Sequence, residues 1–545
     1  MKRSLVTLAL GLLCASCAPK HETMKEGPYQ PTWESLSQYG QAPDWFRDVK
    51  FGIWSHWGPQ CQPEQGDWYA RQMYLEGSRA NRWHVENYGH PSEFGFKEVI
   101  NLWKAENWNP EELMELYRRV GARYFFTLGN HHDNFDNWDS RHHAWNAVNL
   151  GPKRDIIGDW ERAARARGMR FGVSIHSAHA WTWYEPSQRS DREGPMAGVP
   201  YDGKMTADQG KGLWWDGYDP QELYAQNHPL SERSAEDNNA IHRQWAWGGG
   251  ACPPSEEFTQ NFFDRNVDMM NRYNPDLVYY DDTSMPLWPV SDAGLRAVAH
   301  LYNKSVAEND GQNQAVVFAK ILTDEQKNAL VWDVEMGVPD AIQPKPWQTC
   351  TCLGSWHYDR SIYERDRYKS ARTVVHMLID IVSKNGNLLL SVPQRGDGTI
   401  DEKERRILEE IAAWMEVNSE GIYETRPWKI FGEGPVAEAV NPLQAQGFNE
   451  GRHAPYTPAD IRFVTKGGAL YAHVLAWPAD GRVVIRSLAE GTQLWEKAVG
   501  SVTMAGHAAP LPFERTAEGL VVTLPDGPAP DAGSPGGISL LLRIS

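Results

Sequence analysis

Residues 122–140 read Ala122-Arg123-Tyr124-Phe125-Phe126-Thr127-Leu128-Gly129-Asn130-His131-His132-Asp133-Asn134-Phe135-Asp136-Asn137-Trp138-Asp139-Ser140. The first seven are aromatic and almost uncharged, the pattern of a buried strand. The rest are two adjacent histidines, then acids, amides and aromatics. A strand ending in such a run places a site at its C-terminal end. The competing reading is a polar loop that happens to carry histidine, and the flanking pattern decides between them.

From Pro43 to about Pro427, apolar strand-like runs alternate with amphipathic helical runs. Strands are expected at 50–55, 124–128, 170–175, 277–280, 315–318 and 388–392. Helices are expected at 110–119, with Pro at the start and acids in the first turn, and at 159–167, 258–273, 371–383 and 402–417. This alternation argues for a parallel barrel or a doubly wound sheet. Polar residues follow several different strands, which favours a (β/α)₈-like TIM barrel, where chemistry sits at the strands' C-terminal ends. Residues 180–254, rich in Gly, Trp, Asp and Pro, read as a functional loop inserted in the barrel. After Trp428 the runs become short and alternating, with Gly and Pro between them, as in Ala469-Leu470-Tyr471-Ala472-His473-Val474-Leu475. That reads as a β-sandwich. The expected domains are a catalytic barrel over 30–428 and a C-terminal β-sandwich over 429–545.

With 545 residues the chain fits two domains. Its 25 Trp and 21 Tyr suit carbohydrate binding, because sugar rings lay apolar C–H faces on aromatic rings; most of these residues nevertheless fill the core. A net charge of −17 and the lack of a long basic tract exclude nucleic acid as the expected partner. Residues 1–17 read as a signal peptide: Met1-Lys2-Arg3 is basic, Leu5 to Leu13 is apolar, and Ala15-Ser16-Cys17 is small. Ending on Cys17 resembles a bacterial lipoprotein signal, with Cys17 as the lipid anchor. Cys14 is atypical for one and leaves ordinary cleavage open. The expected location is outside the cytoplasm, in the periplasm or anchored to the outer membrane. Cys61, Cys252, Cys350 and Cys352 show no paired metal-ligand spacing.

Asp281 closes an apolar, aromatic run and would sit at a barrel mouth; the alternative for such an Asp is a turn or helix cap. Glu335, in Val331-Trp332-Asp333-Val334-Glu335-Met336-Gly337, is a second acid. Two carboxylates facing one pocket are what glycoside hydrolysis needs. His56, His131 and His132 could bind sugar hydroxyls, since imidazole both donates and accepts, or could bind a metal. The adjacent pair lacks the spacing of a helical zinc motif, so no metal or cofactor is expected.

These residues lie in a wider set of motifs. Phe51-Gly52-Ile53-Trp54-Ser55-His56-Trp57-Gly58, Gly66-Asp67-Trp68-Tyr69, His131-His132-Asp133, Pro152-Lys153-Arg154-Asp155 and Tyr279-Tyr280-Asp281 follow in order. Pro346-Trp347-Gln348-Thr349-Cys350, Ser355-Trp356-His357-Tyr358, Val382-Ser383-Lys384-Asn385-Gly386-Asn387 and Gly421-Ile422-Tyr423-Glu424-Thr425-Arg426-Pro427-Trp428 continue the series. The chain resembles glycoside hydrolase family 29, the α-L-fucosidases, over about residues 45–435. The resemblance implies a (β/α)₈-like barrel with a C-terminal β-sandwich, and an exo-acting retaining enzyme working on fucosylated oligosaccharides or polysaccharides. It implies Asp281 as nucleophile rather than its neighbour Asp282. It carries sugar-contacting roles onto His56, His131 and His132, and onto Asp67 with Trp68, where relatives often have Glu. Lys320 falls where a basic residue, usually Arg, approaches the sugar. Tyr279 and Trp356 complete the expected substrate-binding set. Ser174-Ile175-His176 departs from a pattern that often carries Tyr.

The acid/base is harder to carry over. Many relatives have Glu after the Trp of the Pro-Trp motif, whereas this chain has Gln348, and an amide cannot deliver a proton. Glu335 is the expected acid/base, with Asp333 and Asp340 as lesser candidates. Two alternatives stay open: an exo-α-L-galactosidase on the same scaffold, and a non-catalytic carbohydrate-binding lipoprotein supported by Gln348.

Overall fold

The computed structural model describes residues 21–545 except 445, 446, 528, 529 and 532. The signal-peptide and Cys17 expectations therefore lie outside the described residues. Eight parallel strands close into a barrel: β1 (Phe51–Ser55), β2 (Tyr124–Asn130), β3 (Arg170–Ile175), β4 (Leu277–Thr283), β5 (Val316–Lys320), β6 (Val331–Glu335), β7 (Trp347–Cys352) and β8 (Gly386–Ser391). Each strand pairs with the next, and β8 pairs back onto β1. Alternation along each strand sends every second side chain inward. The lumen is packed by Trp54, Tyr124, Phe126, Tyr279 and Phe318. Rings of this size fit because glycines face them. A Cβ on Gly52 would stand 2.4 Å from the Tyr124 ring, and one on Gly172 would stand 2.6 Å from Phe126.

The helices start where side chains satisfy their first free N–H groups. Asn109 caps Pro110–Val120, Asp155 caps Ile156–Ala166, Ser255 caps Glu256–Tyr273 and Ser370 caps Ala371–Ser383. Asp401 and Glu404 form a reciprocal capping box on Glu402–Asn418. Each helix buries an apolar stripe against the barrel wall.

Eight further strands follow: β9 (Arg426–Glu433), β10 (Ile461–Lys466), β11 (Ala469–Val474), β12 (Arg482–Ile485), β13 (Val502–Met504), β14 (Phe513–Arg515), β15 (Leu520–Thr523) and β16 (Leu540–Ile544). They form a five-stranded sheet, β13-β16-β11-β10-β9, and a three-stranded sheet, β12-β15-β14. The two enclose a core containing Phe463, Val474, Ile485 and Val522. The outer face of the larger sheet sends Tyr471 and Leu541 into the barrel's own core. A buried ion pair sits in this contact. Arg462 of β10, 1% exposed, meets Asp380 of helix Ala371–Ser383 at 2.5 Å, and Lys384 holds the same carboxylate at 2.9 Å. Removing one partner of such a pair costs about 3–5 kcal/mol, because the other is left charged and unpaired.

Candidate active site

At the C-terminal ends of the barrel strands lies a cavity of about 450 Å³. Residues from β1, β4, β5, β6 and β7 and from the loops after β1, β2, β3 and β7 line it, with the insertion contributing His242 and Trp245. Strand alternation explains who reaches it. On β4, Tyr279 and Asp281 point inward. Tyr280 turns outward, its hydroxyl donating to Asn266 of helix Glu256–Tyr273 at 3.1 Å. Asp282 also turns away, to His179 Nε2 at 3.0 Å. Of the two adjacent acids, Asp281 alone lines the cavity.

One ammonium joins the two expected acids. Lys320, the last residue of β5, places Nζ 2.5 Å from Asp281 Oδ1 and 2.5 Å from Glu335 Oε2. The two bound oxygens are therefore at most about 5 Å apart, twice the 2.5 Å contact. Retaining glycosidases hold their carboxyl groups roughly 5–5.5 Å apart. His176 Nδ1 and His132 Nε2 face the other Asp281 oxygen at 3.1 and 3.3 Å. The environments push the two acids in opposite directions. Burial alone would raise Asp281, but Lys320 and the two histidines hold it well below the ordinary carboxylate range. Glu335 is raised, by burial and by the Asp281 charge against the pull of Lys320. Lys320, between two carboxylates, is held firmly protonated despite its burial.

The histidines form a second group. Gln60 takes the Ala70 N–H on its Oε1, so its Nε2 donates to His131 Nδ1 at 2.8 Å. That leaves His131 Nε2 as the protonated nitrogen, 3.9 Å from Asp67 Oδ1. His357 Nδ1 donates to the same Asp67 oxygen at 2.7 Å. His132 Nδ1 donates to the His176 carbonyl at 2.7 Å. Both ring nitrogens of His56 are buried without a hydrogen-bond partner. Burial and the neighbouring histidines drive its pKa well down, as they do for His131, so both rings are neutral. A neutral imidazole offers one donor and one acceptor, which suits a sugar hydroxyl. Ligand atoms of His56, Asp67, His131 and His357 lie within 4.8 Å of one another, as do those of His131, His132 and His176, and either group could hold a metal ion. Trp68 borders them with φ 60°, a left-handed backbone rare for a bulky residue.

A larger cleft of about 620 Å³ lies beside β9 and β10, lined by Trp428, Lys429, Lys466 and Trp495 among others. Its Glu424 is paired with Lys466 at 2.9 Å, and no histidine lines it.

The Alpha-L-fucosidase family model matches residues 16–420, and that of the Alpha-L-fucosidase C-terminal domain matches residues 455–541. The chain belongs to the α-L-fucosidase family. It is a glycoside hydrolase. Tissue alpha-L-fucosidase of Rattus norvegicus is 26% identical over 542 residues, covering 96% of this chain and 93% of the relative. Alpha-L-fucosidase of Branchiostoma floridae is 25% identical, covering 95% and 94%. Among solved structures, Thermotoga maritima alpha-fucosidase aligns with a TM-score of 0.66 and 22% identity over 95% of this chain and 99% of that one. Alpha-L-fucosidase isoenzyme 1 of Paenibacillus thiaminolyticus aligns at 0.59 and 20%, over 94% and 99%. At these identities the structural likeness speaks for the fold.

Within this α-L-fucosidase family member, Asp281, Glu335, His56, Asp67, Trp68, His131, Tyr279, Lys320 and Trp356 all line one cavity, and His132 lies fully buried behind Asp281. Glu335 is the last residue of β6. Gln348 is not at the mouth. It lies inside the barrel, donating to Asp333 Oδ2 at 2.9 Å and accepting from the Tyr124 hydroxyl at 2.9 Å. Asp333 is equally enclosed, its carboxyl pushed up by burial to about 6, and Asp340 is exposed on the surface. Cys61, Cys252, Cys350 and Cys352 are free thiols. Sequence reasoning missed His357, Trp54, His242, Trp245 and Phe448 as cavity or site residues, and noticed His176 only as a departure from the family pattern. His357 and Trp54 stood inside quoted motifs. Nothing local marked Phe448, which comes from beyond the barrel.

Proposed function

We propose that the chain is an exo-acting, retaining α-L-fucosidase that removes terminal α-L-fucosyl residues from glycans. The observation that carries this is the single Lys320 ammonium between two carboxylates of opposite tendency. An acid held ionised can attack, and one whose pKa is raised is the better proton donor; pairs pushed apart in this way mark the division of labour in glycosidases. In the first step an Asp281 oxygen bonds to the anomeric carbon while the bond to the leaving oxygen breaks. Glu335 supplies the proton that oxygen needs. In the second step Glu335 takes a proton from water, and the hydroxide displaces Asp281 from the sugar. The neutral His56 and His131, with Asp67 and Trp68, would grip the sugar's hydroxyls and apolar face.

The test combines turnover and labelling. The protein should hydrolyse 4-nitrophenyl α-L-fucoside and release fucose first as its α anomer, and a 2-fluoro fucosyl fluoride should label Asp281. Initial release of the β anomer, or a label on another residue, overturns the mechanism. Faster turnover of the aryl L-galactoside would move the substrate to L-galactose. The non-catalytic reading rested on Gln348, which sits in the barrel interior and leaves the carboxylate pair intact.

Residues 1–17 support export, with Cys17 as the lipidated residue. Intact-mass measurement of membrane-extracted protein tests this, and an unlipidated mature N-terminus refutes the anchor.

A further inference from the structure

We propose that Phe448 is the platform for the sugar on the leaving-group side, so that chain following the barrel builds that subsite. The inference rests on the fucosidase reading, in which Glu335 protonates the leaving oxygen. The leaving group must then lie against Glu335. The fold stitches Phe448 to that place. Its N–H donates to the Glu335 carbonyl at 2.9 Å, and the Glu450 N–H donates to the Met336 carbonyl at 3.0 Å. Residues 447–450 thus run on beside the end of β6.

The backbone there is firmly set. Gly447 has a φ of +149°, and a Cβ on it would stand 2.2 Å from the Glu335 carbonyl oxygen, so only glycine allows the approach. Buried Asn449 accepts the Val338 N–H at 2.9 Å and donates to the carbonyls of Val338 and Asn441 at 3.0 and 2.7 Å. Glu450 accepts the Thr351 hydroxyl of β7 at 2.6 Å and pairs with Lys369 at 2.9 Å. On this anchored backbone the Phe448 ring is 38% exposed and lines the cavity.

An apolar ring on an anchored backbone beside a proton donor has one evident use in sugar chemistry. It offers no hydrogen bond, so it cannot serve the hydroxyls that the histidines suit. It offers a flat face on which the C–H side of a pyranose packs, with little entropy left to lose on binding. The insertion's cavity aromatics, His242 and Trp245, are already stacked on rings outside it. Trp245 stacks on His179 at 3.9 Å, and Trp68 stacks on Trp245 and His242 at 5.8 Å each.

The experiment measures kcat/KM on fucosyllactose and on α-L-fucosyl fluoride, whose leaving group has no ring, in one preparation. Their ratio is unaffected by the fraction of protein that is folded. Phe448→Ala should lower the ratio roughly five- to tenfold, the scale of one lost ring contact, and Phe448→Trp should restore it. An unchanged ratio overturns the proposal. So does a loss seen with 4-nitrophenyl fucoside but not with fucosyllactose, which would make the platform a site for apolar aglycons. A wild-type protein that turns over neither fucosyllactose nor the fluoride overturns the fucosidase reading and this subsite together.

Discussion

Replacing Lys320 with methionine should move the whole pH–rate profile to higher pH. The side chain keeps its approximate length and loses its charge. Two unit charges at the 2.5 Å Nζ–oxygen contact seen here attract by roughly 7 kcal/mol at an effective dielectric near 20. One pKa unit corresponds to about 1.4 kcal/mol, so the ceiling is about five units for each carboxyl. The side chains of Lys320, Asp281 and Glu335 are 7%, 18% and 13% exposed, so water screens the interaction only in part. A rise of roughly one to two units is the discounted expectation. The sign follows from the two acids. Asp281 is held low chiefly against its own burial by Lys320, so without the ammonium it takes up a proton at higher pH and the acid limb rises. Glu335 also loses the charge that opposed its upward shift, so the basic limb moves the same way. The assay is kcat/KM for 4-nitrophenyl α-L-fucoside across roughly pH 4–9, which reports the free enzyme's groups. Lys320→Arg should leave the limbs near their original place, since it keeps the charge. Limbs that stay fixed in Lys320→Met, or that move to lower pH, refute the argument. A change in KM alone would make Lys320 a sugar contact that does not tune the acids.

Three other outcomes follow from the same geometry. Asp281→Ala should lose several orders of magnitude in kcat with its fold intact by circular dichroism, because covalent catalysis disappears; near-normal turnover would reject the assignment, and a matching loss in Asp282→Asn alone would transfer it. Glu335→Ala should be slowed most on substrates with poor leaving groups, and azide should accelerate it and yield fucosyl azide; equal slowing on all leaving groups with no azide effect would return attention to Asp333 and Asp340. Activity should survive exhaustive dialysis against a chelator, since the neutral histidines are assigned here to hydroxyls; a loss restored by one divalent ion would make either histidine group a metal site.

The sequence disclosed those parts of the barrel whose chemistry is uniform. β1 to β5 and β8 are apolar or aromatic runs, and each stood out. β6 and β7 did not, because polar residues stand on both of their faces, Asp333 and Gln348 inside the barrel and Thr349 and Thr351 outside it. Asp333, Gln348, Thr349 and Thr351 interrupt the apolar pattern, and what makes those positions acceptable is a set of hydrogen bonds to other strands and to Gly337 and Glu450 beyond them, which no local window contains. Helix Ala293–Glu308 was also missed, although Pro289 and the pair Ser291-Asp292 precede it; Asp292 makes no side-chain capping bond. In the site, His131-His132 and Asp281 were visible because they end strands. His357 and Phe448 act through partners 290 and 113 positions away, Asp67 and Glu335, and such pairings arise only on folding. Gln348 misled for the same reason: its letter resembled a lost acid, while its register beside Asp333 turned it inward.

The hydrogen bonds from Phe448 and Glu450 to the last residues of β6 bear on how such a chain can be inherited and engineered. The barrel's rim is not finished when the barrel ends. A recombinant made by cutting near Trp428 and joining another member's sheets would keep the carboxylates and exchange the wall beside them. Its progeny would inherit hydrolysis from one parent and taste in glycans from the other.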